Sequence, residues 1–139
     1  GSKKMSKSEV SDLSRINLTD DKDLIINKIK KAKTDAFPIP SSLEELTTRM
    51  EAKNLLGIYS SLKNFGLEKT IKQFSGRNFS DFKNDLSQVL VDKIDPISKE
   101  IKSLLKESDF LDKILLEGSN KANEIASEKL KKIHKIVGF

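Results

Sequence analysis

The sequence predicts an all-α fold: a helical bundle preceded by a loop that is foreign to it. Three observations carry that prediction. From Ala52 onward, apolar residues recur at i, i+3, i+4 and i+7, the spacing of one helix face. No stretch alternates apolar and polar residues as a half-buried strand does. Residues 1–19 follow neither period and carry the pentapeptide Lys4-Met5-Ser6-Lys7-Ser8.

Each element has its own signal. Asp20-Asp21-Lys22-Asp23 opens a helix, with Lys28, Lys30, Lys31 and Lys33 crowding its end, as the helix dipole prefers. Ile25, Ile29 and Ala32 share one face of it, and it should stop near Thr34-Asp35. Phe37-Pro38-Ile39-Pro40 then blocks helix and central strand alike, which sets a boundary between segments 1–36 and 37–139. Ser42-Leu43-Glu44-Glu45 has capping-box spacing and starts a short helix. Leu55, Ile58, Tyr59 and Leu62 form the next stripe, closed by a turn at Asn64-Phe65-Gly66. Leu67, Ile71 and Phe74 mark a short helix ending at Gly76.

Ser80 or Asp81 opens a helix with Phe82, Leu86, Val89 and Leu90 inward. At Pro96 the chain either kinks or starts afresh with Asp95 as cap, and Ile97, Ile101, Leu104 and Leu105 continue the stripe. Ser108 caps a brief helix that should end at Gly118. A last helix from about Ser119 to Val137 turns Ala122, Ile125, Ala126, Leu130, Ile133 and Ile136 inward. Tyr59 and the phenylalanines read as core, and His134 as a half-exposed surface residue.

Composition narrows the function. The 139 residues carry 26 Lys+Arg against 21 Asp+Glu, a net charge of +5. That excess favours a polyanionic partner. Cys is absent and His134 is the only histidine, which excludes disulfides, thiolate metal sites and His-based triads within this sequence. No apolar run approaches the ~20 residues of a membrane span, and no secretory signal is visible. A cytoplasmic setting with no membrane partner is expected.

The pentapeptide is the sharpest chemical signal. Two lysines three residues apart, among small flexible neighbours, suit a loop that closes over polyphosphate. An ammonium is a compact charge with three donors, and two of them can follow charge as it moves along a phosphate chain. The hydroxyls of Ser6 and Ser8 add neutral donors. Two basic features elsewhere suit RNA. Lys129, Lys131, Lys132 and Lys135 form a dense patch on the final helix, open to reading either as phosphate contacts or as the solvated face of an amphipathic helix. Arg77 sits in the turn Gly76-Arg77-Asn78-Phe79, where a guanidinium can stack on a base or simply face water.

Lys4-Met5-Ser6-Lys7-Ser8 resembles the signature loop of class I aminoacyl-tRNA synthetases. The downstream segments are similar to bacterial-type tryptophanyl-tRNA synthetase. Ile16-Asn17-Leu18-Thr19-Asp20 and Lys28-Ile29-Lys30-Lys31-Ala32-Lys33-Thr34-Asp35 resemble the way that family leaves its loop. Asn54-Leu55-Leu56-Gly57-Ile58-Tyr59, Phe82-Lys83 with Leu86, Pro96-Ile97, and Glu117-Gly118 with Lys121-Ala122 and Ala126 follow in family order. The resemblance runs nearly end to end. Two departures are Glu9-Val10 where Asp-Pro is common, and Met50 after Arg49 where a proline is common.

The resemblance implies a C-terminal portion of the synthetase. Residues 1–36 would be the loop and linking helix at the end of a Rossmann-type catalytic domain, and 37–139 the helical anticodon-binding domain. Lys4 and Lys7 would act catalytically on ATP, with Met5, Ser6 and Ser8 completing the ATP-binding loop and Mg²⁺ arriving with the nucleotide. Tryptophan and its tRNA would be the other substrates, in a homodimeric enzyme. Without the family's histidine signature and amino-acid pocket, this chain alone should not form tryptophanyl-adenylate. Two other readings stay open: a free-standing helical RNA- or protein-binding module, and a purely structural helical domain.

Overall fold

The computed structural model describes residues 10–138. Among them there are helices and no strands, in agreement with the all-α prediction. Five α-helices follow in order: α1 Lys22–Lys31, α2 Met50–Lys63, α3 Leu67–Phe74, α4 Phe79–Leu104 and α5 Ser108–Val137. Short 3₁₀ turns occupy Asp12–Ser14 and Glu45–Thr47. The chain divides into two compact units, one up to residue 99 and one from residue 100.

The first unit is built around aromatic rings. Tyr59 of α2 and Phe74 of α3 meet edge to face at 4.9 Å, and Phe74 meets Phe82 of α4 at the same distance. Such pairs add about 0.5–1.5 kcal/mol beyond the area they bury. Ile25 and Ile29 of α1, Leu55 and Leu56 of α2, and Leu86 and Leu90 of α4 complete the core, so the stripes read from periodicity are the buried faces.

Local signals place the ends of these helices. The Asp21 carboxylate accepts from the Leu24 amide at 2.9 Å and caps α1. Ser42 and Glu45 reciprocate: the Ser42 hydroxyl accepts from the Glu45 amide at 3.4 Å and donates to the Glu45 carboxylate at 3.3 Å. The helix expected there is a single 3₁₀ turn, Glu45–Thr47, with Glu44 as its N-cap and Leu46 buried. Asn64 ends α2 in the left-handed conformation at φ 54°, a region that Asn tolerates better than most residues.

The segment between α1 and α2 is tied down. Ile39 and Pro40 are buried. The Ile39 amide donates to the Arg77 carbonyl, and the Gly76 amide donates to the Ile39 carbonyl, both at 2.9 Å. Ile39 and Pro40 are thus held against the turn between α3 and α4, whereas Phe37 and Pro38 are exposed.

Two expectations about helix breaks are corrected. Pro96 lies inside the continuous α4, so no fresh helix starts at Asp95. Pro96 is exposed, where the carbonyl it leaves without an amide partner can be reached by water. Gly118 lies inside α5 and does not end it; a Cβ there would meet nothing within 4 Å. Glycine costs an interior helix position only about 1 kcal/mol, too little to stop a helix favoured on both sides.

The second unit contains the end of α4 and all of α5. No residue of α5 is buried. The expected inward face of Ala122, Ile125, Ala126, Leu130, Ile133 and Ile136 is exposed throughout. His134 is exposed rather than half-exposed. Among the phenylalanines, Phe74, Phe79 and Phe82 are core, whereas Phe37 and Phe110 are exposed.

Candidate functional site

Lys4, Met5, Ser6, Lys7 and Ser8 lie outside the described residues. What the structure shows is the segment that follows them. The 3₁₀ turn at Asp12 is capped by Ser11, whose hydroxyl accepts from the Leu13 amide. Lys28 of α1 reaches back to this turn. Its ammonium donates to Asp12 Oδ2 at 2.5 Å and to Asp20 Oδ2 at 2.6 Å. The Asn17 side-chain amide donates to Asp12 Oδ1 at 3.1 Å and to Asp20 Oδ1 at 3.3 Å. The Asn17 backbone amide adds a bond to Asp20 Oδ2 at 2.9 Å, and Arg15 pairs with Asp12 at 2.8 Å.

Lys28 and Asp20 are buried, with 3% and 4% relative exposure, while the Asp12 side chain is 43% exposed, so the cluster runs from the interior to the surface. Burial opposes the charge on Lys28, but the hydrogen bonds it donates to Asp12 and Asp20 outweigh it and raise the ammonium's pKa. The Lys28 hydrogen bond, helped by Asn17, holds the Asp12 carboxyl below its usual range. Counting Lys28 with the dipole-favoured lysines at the end of α1 missed its role. The signal was present: Lys28 falls three residues after Ile25 and next to Ile29, on the apolar face.

A second cluster surrounds the linker. Arg49 donates to Asp35 through two nitrogens, at 2.8 and 2.6 Å, and to the Pro38 carbonyl at 2.9 Å. That bidentate pairing holds the Asp35 carboxyl below its usual range. Lys83 of α4 donates to the carbonyl of Ala32, the C-cap of α1, at 2.6 Å. A cation there complements the negative end of the α1 dipole. Burial pushes the Lys83 pKa down. Neither contact was legible in the sequence, because each pairs residues far apart in the chain.

Segments 34–38 and 76–83 line an open cleft of about 610 Å³. Arg77 stands on its rim, exposed. Its guanidinium lies 5.2 Å from the centre of the Phe74 ring and pairs with Asp85 at 3.2 Å. Phe37 contributes an aromatic ring that is 70% exposed. The cleft thus offers a guanidinium plane and an open ring, chemistry that suits an unstacked base.

The four lysines of α5 do not form one patch. Lys131, Lys132 and Lys135 line a shallow groove of about 630 Å³ with His134 and Leu130. At about 100° per residue these three fall in one ~100° arc, and Lys129 lies ~60° beyond it, among Ile125, Ile133 and Ile136. Glu128 pairs with Lys132 at 2.5 Å and offsets part of the charge. Arg77 belongs to the first unit and the lysines to the second, so no one unit holds them all. Among the described residues no group of three or more His, Cys, Asp or Glu could hold a metal ion. No helix there is long and apolar enough to cross a membrane.

Comparison with known proteins gives this geometry a family. The family described as tRNA synthetases class I (W and Y) matches residues 1–95. The chain is 45% identical over all 139 residues to a tryptophan–tRNA ligase of Brucella melitensis, of which it covers 39%. It is 44% identical to the tryptophan–tRNA ligase of Caulobacter vibrioides, covering 40% of that protein. It is 46% identical to that of Rickettsia felis, covering 42%. The chain therefore spans about two-fifths of the length of these curated relatives. With more than half of its residues matched to the family and its whole length similar to these ligases, the chain belongs to the class I tRNA synthetases of the W and Y type.

Proposed function

We propose that this chain is the C-terminal part of a tryptophan–tRNA ligase, which activates tryptophan with ATP and transfers it to tRNA. The observation that carries this reading is the 45% identity to such a ligase across all 139 residues. Segment 1–36 supplies the loop and linking helix at the end of the catalytic domain. Segment 37–139 supplies the helices that meet the tRNA.

In this reading Lys4 and Lys7 stabilise negative charge that builds on the departing pyrophosphate. They act as an electrostatic clamp and exchange no proton with substrate. Met5, Ser6 and Ser8 complete the loop, the hydroxyls donating to phosphate or to the backbone of the closed form. Mg²⁺ would arrive with ATP and would supply charge neutralisation on the phosphates. Arg77, which lines the same cleft as Phe37, is the candidate base contact. Lys131, Lys132 and Lys135 are candidate phosphate contacts, and Lys129 a more distant one.

Two measurements test the reading. In the full-length ligase, Lys7→Ala should lower kcat for tryptophan-dependent ATP–pyrophosphate exchange about 10²–10³-fold, the range for a lost donor at developing charge. An unchanged kcat would remove the loop from the chemistry. In this chain alone, tryptophan tRNA should bind more tightly than the same tRNA with an altered anticodon. Equal, steeply salt-dependent binding of both would reduce the helical segment to a basic surface.

A further inference from the structure

We propose that α5 is a self-association surface: two copies of this chain pair antiparallel along its exposed apolar stripe. The surface lies wholly in the second unit and does not depend on the catalytic reading above.

A 30-residue helix with no buried residue has little to hold it. Most of a helix's stability in a protein comes from packing its apolar side. At about 100° per residue, Leu111, Leu115, Ala122, Ile125, Ile133 and Ile136 fall within about 60° of one line along α5. Leu115, Ile125, Ile133 and Ile136 are 69%, 67%, 53% and 85% exposed. The stripe from Leu111 to Ile136 runs about 38 Å. A continuous apolar surface of that extent marks an interaction site.

The charges beside the stripe say what covers it. Glu117, Lys121, Glu128 and Lys132 form a row along one flank, about 80–140° from Ala122. In an antiparallel pair related by a two-fold axis, each flank meets the same flank of the second copy. An axis between Glu124 and Ile125 sets Glu117 opposite the partner's Lys132, and Lys121 opposite the partner's Glu128. Each pairing occurs twice, so all four charges of the row are matched. Within one copy Lys132 already pairs with Glu128, which orders the row for this use. The same register seats Leu115 between the partner's Ile133 and the partner's Ile136. Near the axis, Ala122 and Ile125 meet the partner's Ile125 and the partner's Ala126, where the small side chains let the helices approach. A parallel pair would set the charged row against the other flank, where Ser119, Asn123 and Leu130 carry no charge. Flanking charges of this kind fix the orientation of paired helices. Lys131 lies about 180° from the stripe and stays on the surface of the pair. In dilute solution the stripe is bare and substitutions on it act as surface changes; the pair forms as concentration rises.

Sedimentation equilibrium of the 139-residue chain tests this. The apparent mass should rise with concentration from 15.6 kDa toward twice that value. Ile125→Glu places two carboxylates beside the axis and should raise the dimer Kd at least about tenfold. Ile125 is exposed, so this variant leaves the core of the first unit untouched. The chain has no cysteine, so single cysteines report contacts cleanly. Under mild oxidation Ile125→Cys should give a disulfide-linked dimer, and Leu115→Cys, far from its own copy in the antiparallel register, should not. A chain that stays monomeric well above micromolar concentration overturns the proposal. So does a dimer that Ile125→Glu leaves intact, since it would form elsewhere on the chain. Equal cross-linking of Leu115→Cys and Ile125→Cys would mean parallel pairing and overturns it too.

Discussion

The first unit and helix α5 are written in the same binary pattern and reach opposite states. Among the described residues, every buried hydrophobic side chain lies between Ile25 and Val91. α5 spans 30 residues with an apolar stripe of its own and buries none of them. The difference lies in what each stripe can meet. α2, α3 and α4 follow one another through short turns and converge on Tyr59, Phe74 and Phe82, whose rings fill the space between them. The middle of the α5 stripe carries Gly118, Ala122 and Ala126, with Lys129 on the same side. Periodicity thus establishes a helix and its apolar side, but a core also needs a facing surface of matching volume.

The largest expected effect tests that contrast directly. Phe82→Ala should destabilise the first unit by about 3–5 kcal/mol, the cost of removing a buried aromatic ring. Ile133→Ala in α5 should change stability by less than about 0.5 kcal/mol, as an exposed substitution does. Urea titration of both variants measures this. A loss above about 1 kcal/mol at Ile133 would show that the α5 stripe is covered in solution and would break the comparison.

A smaller effect sharpens it through pH. Arg49 holds the Asp35 carboxyl below its ordinary range, so the pair contributes stability that is fully present above the unfolded pKa of ~3.9 and lost as pH falls through the folded value. Asp35→Asn should cost the first unit about 1–2 kcal/mol at pH 7. It should also flatten the fall in stability below about pH 4. Denaturant midpoints at pH 7 and pH 3 check both; an equal deficit at the two values would mean that the charge on Asp35 contributes nothing.

The smallest effect belongs to α5. Nothing stands within 4 Å of a Cβ at Gly118, so Gly118→Ala should favour the helical state by about 0.5–1 kcal/mol without disturbing a neighbour. Far-ultraviolet circular dichroism on heating should show helix retained to higher temperature. A loss of helix would mean that another surface packs against Gly118 closely enough to exclude a methyl group.

Much of the fold was legible residue by residue. The Asp21 cap, the Ser42–Glu45 exchange and the left-handed turn at Asn64 were each announced by residue types at fixed spacing, because the interactions act within a few residues. The breaks expected at Pro96 and Gly118 did not occur, because a long favourable helix on either side outweighs one poor residue. The candidate site divides in the same way. Arg77 was placed in its turn by Gly76 and Asn78, but its ion pair with Asp85 and its seat over Phe74 required the fold.

The order of residues along the chain therefore settled the helical class, the apolar faces and the Asp21 cap, whereas the cap expected at Ser108 is absent because α5 starts there after Glu107 with no side-chain cap. Those properties follow from interactions between near neighbours, and near neighbours are what a sequence displays. Tertiary structure decided which lysines are surface charge and which are structural. Lys30 and Lys31 are exposed, whereas Lys28 is buried between Asp12 and Asp20, and Lys83 caps a helix 51 residues upstream. It also decided that the stripe of α1 enters the core while that of α5 stays exposed. The physical reason is that burial and ion pairing depend on which surfaces meet in space, and no periodicity within one helix specifies its partner.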